Sequence, residues 1–202
     1  MNKKNTEITK NAATYSQELK WLNEVINIRL EKYFSNESFD IESIPSPMFK
    51  SEDSMYSSLL SKHKLNKFER LIIISSIAHV FSPNTFDKFL IKNKGLDKRF
   101  TEFGGKIDDK NSRFIPTLET ITFLCYGNQI EERFKVQAIF DEGHVFNKNG
   151  IINYSIKDEN DSKLSRTISL SDELTQLITL GENFKPDYSN DFPARLIQTE
   201  ME

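Results

Sequence analysis

The chain has 202 residues, of which 37% are hydrophobic, 11% aromatic and 28% charged, and 16 are Phe. That is enough apolar material for one well-buried domain, which excludes disorder of the whole chain. A net charge of -3 and a pI near 5.8 count against a general nucleic-acid binder, because neutralising phosphates takes a clustered excess of Lys and Arg.

The start Met1-Asn-Lys-Lys has no apolar signal-peptide region, and no apolar run approaches the length of a membrane span. A cytoplasmic protein with no membrane partner is expected. Residues 1 to 12 are polar and read as a flexible N-terminus. From Ala13 to about Phe34, Tyr15, Leu19, Leu22, Ile26, Leu30 and Tyr33 recur at helical spacing and predict an amphipathic helix. Trp21 and Ile28 lie off that stripe and widen its apolar surface.

Ser35 to Lys50 is a connector with prolines at 45 and 47, and Met55 to about His63 is a short helix with Met55, Tyr56 and Leu59 inward. Asn66 followed by Glu69 forms a capping box, and the run Leu71 to Phe81 behind it is apolar nearly all round. It predicts the central buried helix. Ser82-Pro83 signals a further helix with Phe86, Phe89 and Leu90 inward, ending near Gly95, so that the two form a helix-turn-helix-like pair.

Phe100 to Thr117 has neither helical nor strand periodicity, yet well-formed helical sequence flanks it. A loop that long is either functional or packed down by its own side chains. Phe100, Phe103 and Phe114 are the expected anchors, Gly104 and Gly105 shape the turn, and the charged centre stays exposed. Pro116-Thr117 then starts a helix that Gly127 ends, with the single Cys125 buried in it, consistent with a reducing compartment. Asn128 with Glu131 caps the next helix, with Ile130, Phe134, Val136 and Ala138 inward.

From Gly143 the period changes. His144-Val-Phe and Ile151 to Ile156 flank Asn147-Lys-Asn-Gly150, a hairpin signal. Asp158 to Lys163 is a polar loop, Leu164 to Leu170 a strand, and Ser171-Asp-Glu caps a helix ending at Gly181. Residues 182 to 202 read as an irregular tail, with Phe184, Tyr188, Phe192 and Pro193 available to pin it. The expected fold is α+β and predominantly helical: one winged-helix-like domain over 13–181, with a helix-turn-helix pair and a C-terminal β-hairpin.

No catalytic constellation stands out. Gly104-Gly105-Lys106 has a partial likeness to a P-loop, but Phe100 stands where the earlier glycine is required and Ile107 where a Ser or Thr would bind magnesium. His63, His79 and His144 lack zinc-site spacing. Lys92, Lys98, Arg99, Lys106, Lys110 and Arg113 gather around the loop, interleaved with Glu102, Asp108 and Asp109. These nine residues are the candidate contact surface. No catalytic, cofactor-binding or metal residue is assigned.

The motifs Leu65-Asn-Lys-Phe-Glu-Arg-Leu71, Ser82-Pro83 with Phe86-Asp-Lys-Phe89, Phe100-Thr-Glu-Phe-Gly-Gly105 and Phe114-Ile-Pro-Thr-Leu-Glu-Thr120 carry a resemblance. Weaker echoes run on to Phe192-Pro-Ala-Arg195. The chain resembles the N-terminal domain that precedes the ATPase module in a group of bacterial AAA-type ATPases, including those encoded with extracellular contractile injection systems. It departs between Gly105 and Phe114, where a glycine-richer loop with a His is expected and Asp108, Asn111 and Arg113 stand instead. The resemblance implies a noncatalytic, partner-binding or regulatory domain that recruits an ATPase to its assembly. ATP and magnesium are then expected only in a downstream module, toward which the 182–202 tail would lead. The alternative from the residues is a DNA-binding winged helix.

Overall fold

The computed structural model describes residues 3–155 and 162–181. The fold is α+β and predominantly helical. Helix α1, Lys3–Ser35, starts ten residues before the apolar stripe does. Where a frayed polar end was expected, the side chain of Asn11 is buried, accepting from the Met55 amide at 3.0 Å and donating to the Thr179 carbonyl at 3.4 Å. Tertiary partners therefore extend the helix where periodicity gives no reason for one.

Helix α2, Met55–His63, and helix α3, Lys67–Phe81, both begin with reciprocal capping boxes, Ser54 with Ser57 and Asn66 with Glu69. Every residue from Leu71 to Ala78 is buried, because α3 packs on α1, on the segment after it, and on the later α4 and β6. Each of its fully buried isoleucines contributes on the order of 2 kcal/mol.

Beyond α3 the structure departs from the helix-turn-helix expectation. Pro83–Leu90 is a 3-10 helix, and Ser82 makes no side-chain cap to it; the Ser82 hydroxyl instead accepts from Tyr15 Oη at 3.0 Å. The segment stops at Leu90, and strands β1, Lys92–Asn93, and β2, Lys98–Arg99, pair antiparallel in place of the rest of that helix. After a 3-10 turn at Thr101–Phe103, a second small hairpin joins β3, Lys106–Ile107, to β4, Phe114–Ile115. The stretch read as aperiodic is thus a short paired ribbon.

Helix α4, Leu118–Tyr126, starts at Thr117 and stops at Gly127. A Cβ on Gly127 would lie 1.4 Å from Arg29 Nη2, because the buried Arg29 reaches over the helix end and donates from Nε to the Phe123 carbonyl at 2.9 Å. A cation there also complements the helix dipole. Cys125 is buried, and burial pushes its thiol up, which leaves it inert.

Helix α5, Ile130–Lys135, follows Gln129 rather than Asn128 and has no side-chain cap. Ile130 and Phe134 are exposed, as is Ala138; of the four expected inward residues only Val136 is buried. The expected 144–156 hairpin is also replaced. Helix α6, Val145–Lys148, occupies its first arm, and β5, Ile152–Ser155, pairs antiparallel with β6, Thr167–Leu170. Helix α7, Asp172–Leu180, capped by Ser171 and ended by Gly181, packs on α1 and α2. The polar loop before Lys163 falls largely, and the 182–202 tail wholly, outside the described residues.

No helix among the described residues is long and apolar enough to cross a membrane.

Candidate functional site

The Phe100–Thr117 stretch is held from beneath by rings. Phe103 and Phe114 are buried and Phe100 is half-buried. Phe103 lies 4.7 Å from Phe123, 5.0 Å from Phe100, 5.3 Å from Tyr33 and 5.5 Å from Phe89, while Phe114 stacks at 5.2 Å on Phe89. Such offset and edge contacts each add about 0.5–1.5 kcal/mol beyond area burial. A loop without long strands is thereby anchored to the core. Gly105, at φ +75°, is where the backbone passes closest: a Cβ would sit 2.1 Å from the Phe114 ring.

The nine candidate contact residues do not form one surface. Lys92 and Lys98 stand on the first hairpin, where Lys92 pairs with Asp97 at 3.3 Å across the turn. Glu102 turns back to α1 and accepts from Tyr33 Oη, whose phenol is pushed up to about 12 by burial and then by that carboxylate. Asp108 organises the second hairpin's turn: Oδ1 accepts from the Lys110 amide at 3.0 Å, while Oδ2 accepts from Asn111 at 3.0 Å and from Arg113 Nη2 at 3.3 Å. The Lys110 amide and the Asn111 side chain lead in holding the Asp108 carboxyl below the usual carboxylate range. Asp109 and Lys110 are exposed at the tip.

Two of the nine, Arg99 and Lys106, converge on a cavity of about 520 Å³ that they line with Phe100, Thr101, Gly104, Gly105, Thr117, Glu119 and Ser165. Two of its backbone donors are already engaged, Gly104 N–H with the Thr101 carbonyl at 3.1 Å and Gly105 N–H with Thr117 Oγ1 at 3.0 Å. Glu119 forms an ion pair with Arg133, which donates from Nη1 to the Gly127 carbonyl at 2.9 Å. Phe34, 53% exposed, sits 5.4 Å from the Phe100 ring and extends the rim with an apolar shoulder.

Glu119, Ser165 and Phe34 join this site although the sequence expectation does not include them. Phe34 had a signal, an aromatic one residue past the apolar stripe of α1. Ser165 had none, since only the fold brings the 163–165 turn beside α4. Among the described residues, no cluster of three or more His, Cys, Asp or Glu is placed to hold a metal. His144 Nε2 lies 3.1 Å from Glu69 Oε1, and the His144 ring accepts from the Phe146 amide at 3.2 Å.

No protein-family model, curated protein or solved structure matches the chain.

Proposed function

We propose that this chain is a noncatalytic, partner-binding domain of the kind that precedes the motor in bacterial AAA-type ATPases, winged-helix-like in arrangement and working in the cytoplasm. Its partners would be an ATPase module and the components of its assembly, a contractile injection system among them. The observation that carries the reading is the ring-anchored Phe100–Thr117 stretch. Its rings are locked under it, while Phe34 stays exposed against Phe100 and Leu96 is exposed on the neighbouring first hairpin, between Lys92 and Lys98. Exposed apolar side chains rimmed by charge mark protein-contact surfaces. The engaged Gly104 and Gly105 amides support the noncatalytic half, since a phosphate cradle needs such donors free.

The purified chain is expected to bind no ATP and hydrolyse none; stoichiometric ATP binding by calorimetry would contradict that half. Crosslinking to purified injection particles tests the other half. Crosslinks from Lys98 or Lys110 to particle subunits support the reading, and a crosslinked chain with no particle contact removes it.

A second reading, DNA binding, draws on the hairpin that carries Lys92, Lys98 and Arg99, of which Lys92 and Arg99 are cross-strand partners. It requires salt-sensitive duplex binding that weakens when those three residues are neutralised. Unchanged anisotropy of labelled duplex at low salt discards it.

A further inference from the structure

We propose that the cavity beneath Arg99 is a carboxylate-recognition pocket, which takes an acidic group of the protein partner while an adjoining apolar side chain of that partner seats against Phe34 and Phe100. This deepens the partner-binding reading and rests on it. A volume of about 520 Å³ falls inside the range of about 300–1,000 Å³ usual for small-ligand sites. Arg99, which has no ion-pair partner among the described residues, lines it, as does Lys106. A guanidinium fork matches a carboxylate with two parallel hydrogen bonds.

The ligand's charge follows from the rest of the wall. A phosphate dianion would call on backbone amides, and those of Gly104 and Gly105 are spent inside the loop. Glu119 also stands in the wall, where its ion pair with Arg133 tempers the repulsion of a single negative charge but works against a doubly charged group. Phe100 lines the same cavity and its ring meets Phe34 at 5.4 Å, so an aromatic or aliphatic neighbour of the acidic group finds a surface within one residue's reach. The carboxylate could come from an acidic side chain or from a chain terminus; the chemistry is shared.

The test is an amide-resolved NMR titration of the full isotope-labelled chain with four probes: N-acetyl-Phe-Asp-amide, its neutral counterpart N-acetyl-Phe-Asn-amide, N-acetyl-Ala-Phe with a free C-terminus, and inorganic phosphate. One or both carboxylate peptides are expected to shift the amides of Thr101, Gly104 and Gly105 at low-millimolar concentration, and which one does so identifies the source. Arg99→Gln should weaken that binding at least about tenfold, as loss of a charge-assisted pair implies, and Phe34→Ala should weaken it less. Dispersed spectra of both variants certify folding. Binding of the neutral Asn peptide as tight as that of the better carboxylate peptide, a stronger response to phosphate, no shift with either carboxylate, or indifference to Arg99→Gln each overturns the pocket. If Arg99→Gln leaves particle crosslinking intact, the pocket fails while the partner reading stands; if the unaltered chain makes no particle contact, the reading itself fails.

Discussion

Glu18 is fully buried, paired with Arg70 and hydrogen-bonded by Tyr56 Oη at 3.3 Å. Arg70 also donates to the Pro47 carbonyl at 2.9 Å and to Ser46 at 3.0 Å, and stands 5.3 Å from the Trp21 ring. The pair thereby ties α1, α3 and the connector together. Its sequence signal is one of spacing: Glu18 lies between Tyr15 and Leu22 on the apolar stripe, a position that the neighbouring Leu19 also satisfies. Burial pushes the Glu18 carboxyl up, against the opposing charge of Arg70. With the folded value above the unfolded one, the folded state holds more protons in the window between them, so Glu18 makes stability fall as pH rises from the ordinary carboxylate value through the raised one. Glu18→Ala leaves Arg70 nearly buried without its counter-ion and should cost about 3 kcal/mol in urea unfolding, within the range for breaking a buried pair. Combined with Arg70→Met, the total should fall clearly below the sum of the single losses. Strict additivity would mean the pair contributes nothing as a pair.

At the scale of elements, whatever local chemistry specifies was legible. The Asn66–Glu69 capping box, the all-round apolar α3 and the Thr117 and Gly127 limits of α4 stand where spacing puts them. Elements that depend on distant contacts were not. The Asn147 to Gly150 run carries the residues of a hairpin turn, but Asn147 Nδ2 donates to the Ile139 carbonyl at 2.9 Å and the Asp141 carbonyl at 2.7 Å. Those bonds close a short helix whose Phe146 enters the core, and Ile152–Ser155 is left to pair with a strand twelve residues further on. Asn147→Ala should therefore lower stability by about 1–2 kcal/mol, the net worth of two hydrogen bonds. In an exposed hairpin turn the same change would be nearly neutral, so a midpoint unchanged in urea would contradict the observed role. The site was half legible for the same reason: Arg99, Lys106 and the glycines are local to one stretch, whereas Glu119 and Ser165 arrive through α4 and the turn before β6.

Across the whole molecule, the rings divide into those that hold the fold and those that face outward. Periodicity cannot set the phase of a helix as short as α5, six residues with none buried, and it placed Phe134 inward although the ring is 73% exposed. Phe103 is the opposite case, buried at the junction of α1, the loop and α4, with ring neighbours on all three. Phe134→Ser should thus change unfolding free energy by no more than about 0.5 kcal/mol, as for other surface positions. Phe103→Ala should cost about 3–5 kcal/mol through lost burial and the cavity left behind. Because Phe103 supports Phe100, which lines the Arg99 cavity, its loss should also broaden or displace the Gly104 and Gly105 amide resonances at temperatures where the variant is still folded. A variant that lost stability while those resonances stayed unmoved would show the Phe100–Thr117 stretch to be held independently of the core.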